Sequence, residues 1–135
     1  MKTLISTSIF ASAAFMAFGA DYNLTSGENV DILDLSNWGA EEITNADTLH
    51  IQNNGTSAVL DGTGKSLSFN HMHIRGNVSL DILGSGNTLT GEGSSDSNVF
   101  LGTNANNNTT LNILGYGNTY SDKSGWSFMM GNVDS

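Results

Sequence analysis

Two stretches of this chain carry residue types that could do chemistry. The first, Asp61-Gly-Thr-Gly-Lys-Ser66, ends in the Gly-Lys-Ser of a phosphate-binding loop. The full motif places a glycine five residues before Gly64, where this chain has Val59, and it needs a helix after the loop to turn amides onto phosphate. The next residues, Leu67-Ser-Phe-Asn-His-Met-His-Ile74, alternate like a strand, so the run reads as a Gly-rich turn with a solvated Lys65. The second stretch holds His71 and His73. Two apart on a strand, they share a face, with His50 on a neighbouring coil. Paired imidazoles could hold Zn²⁺ or Cu²⁺. Structural zinc takes four ligands, and the conceivable additions, Asp47 and Asp81, have no convincing spacing, so no metal ligand is assigned.

The carboxylates Asp61, Asp81, Glu92 and Asp96 invite comparison with polysaccharide enzymes. Glycoside hydrolysis needs two carboxylates held a defined distance apart. Lyase chemistry also asks for bases, and beyond the leader there are only Lys65, Arg75 and Lys123. The acids are scattered, as surface charge is. The calcium-roll pattern Gly-Gly-x-Gly-x-Asp is absent. An ice-binding face would need Thr-x-Thr on every coil. Thr88-Leu-Thr90 and Thr109-Thr110 supply part of one, but a 31-residue register sets Ser121 and Val59 opposite Thr90 and breaks the ladder. No residue is therefore assigned a catalytic, cofactor-binding or metal-binding role.

The elements that would position these residues come from a repeat. Asn77-Val-Ser-Leu-Asp-Ile-Leu-Gly-Ser-Gly-Asn-Thr-Leu-Thr-Gly91 returns as Asn108-Thr-Thr-Leu-Asn-Ile-Leu-Gly-Tyr-Gly-Asn-Thr-Tyr-Ser-Asp122, an offset of 31 residues without a gap. The same offset sets Leu49 and Ile51 under Leu80 and Ile82, making Thr48–Ile51 a fainter third copy. A fixed period of this size marks a stacked repeat fold. Strands are expected at 48–51, 57–60, 66–69, 71–75, 78–83, 88–90, 98–101, 109–114 and 127–130, with one 31-residue repeat per coil rather than two half-length coils. Met72 and Ile74 fall out of parity with Leu67 and Phe69, which predicts a bulge or corner near Asn70-His71. Asn87 and Asn118 are expected at equivalent corners, passing amide hydrogen bonds from coil to coil.

Composition agrees with strands and turns. Asn, Ser, Gly and Thr number 17, 17, 16 and 13 of 135 residues, and all four are poor helix formers. Formal net charge is −9, and it falls to −10 once Lys2 leaves with the leader, three bases facing thirteen acids. That sign excludes nucleic acid and anionic membrane surfaces as partners. With no cysteine, stability must come from stacking, and with no proline, nothing interrupts a strand ladder.

Residues 1–19 read as a secretory signal peptide, with Lys2 before an apolar run from Ile9 to Phe18 and cleavage after Gly19. The run is too short to span a bilayer, and no later segment is a transmembrane helix. Residues 20–47 form an N-terminal cap segment, with Val30, Ile32, Leu33 and Leu35 as a first strand or an edge piece. A helical turn comes next within Asp34–Ile43, capped by Ser36 or Asn37, and Trp38 and Ile43 close the core. Residues 48–135 hold the repeats. Trp126-Ser-Phe-Met-Met-Gly131 matches Asn98-Val-Phe-Leu-Gly102, setting Met130 against Leu101. The large apolar residues there imply either further protein or a partner over the last coil, including a second copy of the chain.

Leu111-Asn-Ile113 with Gly117-Asn-Thr-Tyr120, and Leu80-Asp-Ile82 with Gly86-Asn-Thr-Leu-Thr-Gly91, resemble the strand-plus-Asn-Thr-Tyr-Thr-Gly pattern of bacterial autotransporter passengers. The resemblance spans residues 46–131. It departs from the family in the longer spacing set by Leu83-Gly84 and Leu114-Gly115, and in lacking a translocating C-terminal barrel. It implies an exported right-handed parallel β-helix at the cell surface, the outer membrane or outside the cell, or in the periplasm if the chain is complete. The expectation is an all-β parallel β-helix of about three coils with an N-terminal cap. It would act as a non-catalytic adhesin or structural stalk, with host or cell-surface proteins or glycans as partners. The loops at Glu92–Ser97 and Thr103–Asn108 are the expected contact points. The rival expectation is a secreted carbohydrate-active enzyme, and a third is a soluble ligand- or ice-binding solenoid.

Overall fold

A computed structural model describes residues 19–93, 99–101, 108–122 and 129–130. The signal-peptide expectation, most of both loops and Trp126 lie outside the described residues. Short apolar–polar alternations bounded by Gly and Asn become strands, as the pleat requires. They are β1 Asp21–Asn23, β2 Val30–Asp31, β3 Thr48–Ile51, β4 Ser57–Leu60, β5 Ser66–Phe69, β6 His71–Ile74, β7 Val78–Ile82, β8 Thr88–Gly91, β9 Val99–Leu101, β10 Thr109–Ile113, β11 Thr119–Asp122 and β12 Met129–Met130. Every pairing between them is parallel. The first sheet runs β1-β3-β6-β9-β12, the second β2-β4-β7-β10 and the third β5-β8-β11. From β3 onward the chain visits the three sheets in strict rotation, an all-β arrangement compatible with a β-helix.

Inward residues stack in columns. Leu49 lies beside Met72 and Ile51 beside Ile74 in the first sheet, Leu60 beside Ile82 in the second, and Leu67 beside Leu89 in the third. Leu49, Ile51, Leu60, Met72, Ile74, Ile82 and Leu89 are all fully buried in one apolar core. Parity breaks after Phe69 because the chain leaves the third sheet there and enters the first at His71. Asn70 is therefore a corner, one of the two alternatives the sequence allows.

The structure corrects the repeat length. Ser57 lies opposite Ser79, 22 residues on, and Thr48 opposite His71, 23 on. The 31-residue offset holds one coil later, where Val78 faces Thr109 and Thr88 faces Thr119. Thr48–Ile51 is thus no copy of the Leu80 strand. It belongs to the first sheet, and the true partner of Leu80 is Ala58. The extra residues enter between β8 and β9 and between β9 and β10, since a single residue joins β5 to β6. Met130 does pair with Leu101, as the match between Trp126–Gly131 and Asn98–Gly102 predicts.

The segment between β2 and β3 packs on the core by a different device. A single 3-10 turn, Leu35–Trp38, is capped by Asp34 rather than Ser36 or Asn37, because the Asp34 carboxylate accepts the Ser36 amide at 3.0 Å. Gly39 ends the turn in the left-handed region. Trp38 is buried, and its indole N–H donates to the Ile32 carbonyl at 2.9 Å. Ile43 packs against the core cluster.

Candidate functional site

The histidines meet on the first sheet. β3 and β6 run side by side in a register that sets His50 beside His73 and Thr48 beside His71. The rings of His50 and His73 lie edge-on with centroids 4.8 Å apart, and those of His71 and His73 are 6.3 Å apart. Asp21 on β1 approaches His50 Nε2 at 3.6 Å, with a largely exposed carboxylate that makes this a weak pair. The Nδ1 atoms of His50 and His71 are buried and meet no hydrogen-bond partner among the described residues. No group of three or more His, Asp or Glu among them is arranged to hold a metal.

The two conceivable further ligands lie elsewhere. Asp47 accepts from the Ala20 amide at 2.7 Å and from the Thr44 amide and hydroxyl at 2.6 and 2.9 Å. Burial raises its pKa, but these donors outweigh burial and hold it below the ordinary value. Asp81 is on the second sheet, where it accepts from Asn112 Nδ2 at 2.7 Å.

His73 has its pKa pushed down to about 4 by burial first, then by the charges of Arg75, His50 and His71, with Asp21 opposing. A histidine whose folded pKa lies below its unfolded value costs no stability while both states are neutral. As pH falls through the unfolded value of 6.5, the unfolded chain takes up a proton that the folded chain refuses. Stability should therefore drop by about 1–2 kcal/mol, allowing for solvent screening, between roughly pH 7 and pH 4. It should drop again below that window as Asp47 protonates. Urea midpoints across this range check the first step, and His73→Gln should flatten it.

The other candidates resolve into structure. Gly-Lys-Ser leads into β5, a strand, so no helix N-terminus faces the turn. The Lys65 amide donates to Asn87 Oδ1 at 2.9 Å. Asp61 comes after β4, Asp81 is inside β7 and Glu92 comes after β8, while Asp96 lies outside the described residues. They are spread over different sheets and corners. An open hollow of about 490 Å³ beside the cap is lined by Tyr22, Glu41 and Glu42 among others and brings none of these acids to it.

The structure also corrects the register at Thr90. The residue facing Thr90 on the previous coil is Ser68, not Val59. The outer face of the third sheet thus carries two hydroxyl rows, Ser66–Thr88–Thr119 and Ser68–Thr90–Ser121, with Ser121 Oγ 3.3 Å from Thr90 Oγ1. Neighbours are about 4.8 Å apart across strands and about 6.7 Å apart along them.

The corners are the most developed polar sites. Asn87 is fully buried, and its Nδ2 donates to the carbonyls of Gly62 at 3.1 Å and Leu83 at 2.6 Å. Its Oδ1 takes the Lys65 amide, and its own amide donates to Asn118 Oδ1 at 2.9 Å. The expected ladder exists, but it runs from side chain to backbone rather than from amide to amide. A second ladder is not expected from the sequence. The Asn77 amide donates to Asn54 Oδ1, and the Asn108 amide to Asn77 Oδ1, each at 3.0 Å. Its signal is the asparagine that opens both Asn77-Val-Ser-Leu and Asn108-Thr-Thr-Leu. No protein-family model, curated protein or solved structure matches this chain.

Proposed function

We propose that the three sheets close into a parallel β-helix and that the chain is an exported, non-catalytic surface protein, a stalk or adhesive segment of the autotransporter-passenger type. The observation that carries this reading is the rotation of strands through three parallel sheets with asparagine ladders at two corners. Such a stack spends its sequence on repeating structure. Its polar side chains bind backbone, as Asn87 does, or sit dispersed, as the acids do. The leader, the shortage of bases and the Gly-Asn-Thr repeats support export and surface location. A glycan or cell-surface protein would be its partner.

The test is turnover. The chain produced without residues 1–19 and incubated with neutral and acidic polysaccharides should release neither reducing ends nor unsaturated products. Product formation abolished by Asp81→Asn would replace this reading with the carbohydrate-active enzyme. The hydroxyl rows favour a second reading, a solenoid that binds ice through its third sheet. Retention of the chain in a growing ice front, lost in Thr88→Tyr, would select it.

A further inference from the structure

Asp47 is the one charged side chain buried among the described residues, at 5% exposure, and no lysine or arginine among them pairs with it. A carboxylate taken out of water is costly unless donors or a counter-charge replace the solvent. Its Oδ2 takes the Thr44 amide and hydroxyl. Its Oδ1 takes the Ala20 amide, at 2.7 Å, a length in the range of charge-assisted bonds.

The acid belongs to the region around Ala20 rather than to the repeat. Thr48 pairs with His71, so the residue that holds the same corner one strand further along the sheet is Asn70, a neutral amide. Ala20 is held at both ends, since its carbonyl accepts the Thr48 amide at 2.8 Å. Gly19 before it lies hard against the Ala46 carbonyl, where a Cβ would overlap the oxygen. The open hollow of about 490 Å³ meets the same group: Ala20, Thr44 and Asp47 line it together with Glu41 and Glu42. Three acids and no base line the space beside that backbone nitrogen.

We propose that hydrolysis of the Gly19–Ala20 bond makes the Ala20 nitrogen an α-ammonium paired with Asp47, so that loss of the leader completes the site and fastens β1 to β3. The proposal rests on the export reading, because a leader peptidase makes the cut. Water gives its oxygen to the Gly19 carbonyl carbon, which leaves as a carboxylate, and both water protons end on the Ala20 nitrogen as an NH₃⁺ group. The cut precedes docking, since Ala20 is tied through both its nitrogen and its carbonyl once β1 has paired with β3. The ammonium keeps Asp47 Oδ1, and the Ala46 carbonyl and the hollow receive its two further N–H groups.

An α-amine ordinarily titrates near about 8, and an opposite charge at this distance raises that by about 1–3 units. Asp47 supplies most of the shift, Glu41 and Glu42 act in the same direction, and the half-burial of Ala20 opposes them. Asp21 on β1 faces His50 instead. With the folded value above the unfolded one, the pair stabilises fully below about pH 8 and is lost as pH rises through the folded value.

The chain recovered from a secreting bacterial host should begin at Ala20 by N-terminal sequencing and mass. A retained leader would overturn the export reading and the pair together, whereas a cut at any other bond would overturn the pair alone. In the chain that begins at Ala20, the α-amine followed by NMR should titrate about 1–3 units above its value in urea. The urea midpoint at pH 7 should exceed that of the same chain acetylated on Ala20, and the gap should close by about pH 11. Tyr22 also lines the hollow but is common to both chains, so it cancels. Asp47→Asn should return the amine to about 8 and erase the gap. An unshifted amine, equal midpoints at pH 7, or a gap that survives Asp47→Asn would each overturn the pair. The acetylated comparison needs no substitution and stands on its own if Asp47→Asn does not fold.

Discussion

Alanine at Gly84 should destabilise the protein by more than about 4 kcal/mol and abolish cooperative unfolding at ambient temperature, placing it among the most severe single substitutions. A Cβ on Gly84 would lie 1.9 Å from the Gly62 carbonyl oxygen of the coil beneath. That oxygen cannot retreat, because the Ser85 amide and Asn87 Nδ2 both hold it, at 3.0 and 3.1 Å. Gly84 also has φ near +74°, which alone costs about 1–2 kcal/mol for an alanine.

Gly86 isolates the two terms. Its φ is +66°, yet the nearest atom to an added Cβ is 3.9 Å away. Gly86→Ala should therefore cost only the dihedral term, about 1–2 kcal/mol. The same contrast recurs one coil on, where Gly115 meets the Gly84 oxygen at 2.0 Å and Gly117 meets nothing closer than 3.9 Å. Urea denaturation of the two alanine variants side by side checks the pair. Equal losses would mean that coil-to-coil contact at this corner is looser than the structure places it.

That corner also explains what the sequence can and cannot reveal. Strands are legible because Leu-x-Ile and Met-x-Ile alternate between short polar runs, and alternation depends only on the residues of one strand. Register depends on a comparison between strands, and identity misleads there. Asn77–Gly91 and Asn108–Asp122 share many identical residues, so an offset of 31 stands out. The 22-residue offset joins Ser57 to Ser79, Gly62 to Gly84, Gly64 to Gly86 and Leu67 to Leu89, with Ala58 facing Leu80 between them. An inward position asks only for an apolar side chain, so Ala and Leu are both accepted there and identity fades. Gly-Thr-Gly-Lys, which invites a phosphate, is one rung of the Gly-x-Gly-Asn corner with lysine at the asparagine position. The strand β11 escapes the sequence pattern although the repeat sets it over β8, because Tyr120 and Asp122 hide the Thr-Leu-Thr alternation. The histidine cluster is half legible: the shared face of His71 and His73 comes from one strand, but the pairing of His50 with His73 needs the true register.

Asn87→Ala should cost about 3 kcal/mol, more than truncation of any exposed polar residue. The carboxamide is fully buried and fills three backbone needs at once, accepting from Lys65 N and donating to the Gly62 and Leu83 carbonyls. Alanine leaves the Lys65 amide and the Leu83 carbonyl with no partner, while the Gly62 carbonyl keeps the Ser85 amide, and each buried orphan costs about 1–3 kcal/mol, less where water can enter. Asn118 makes the equivalent bonds, to Leu114 and Gly84, but at the open end of the stack. Water can replace them there, so Asn118→Ala should cost about 1 kcal/mol or less. Asn87→Asp should be no milder than alanine, since it turns two donors into a carboxylate facing two carbonyl oxygens. The ratio between the Asn87 and Asn118 losses, read from urea midpoints, reports how far each rung is sealed from water.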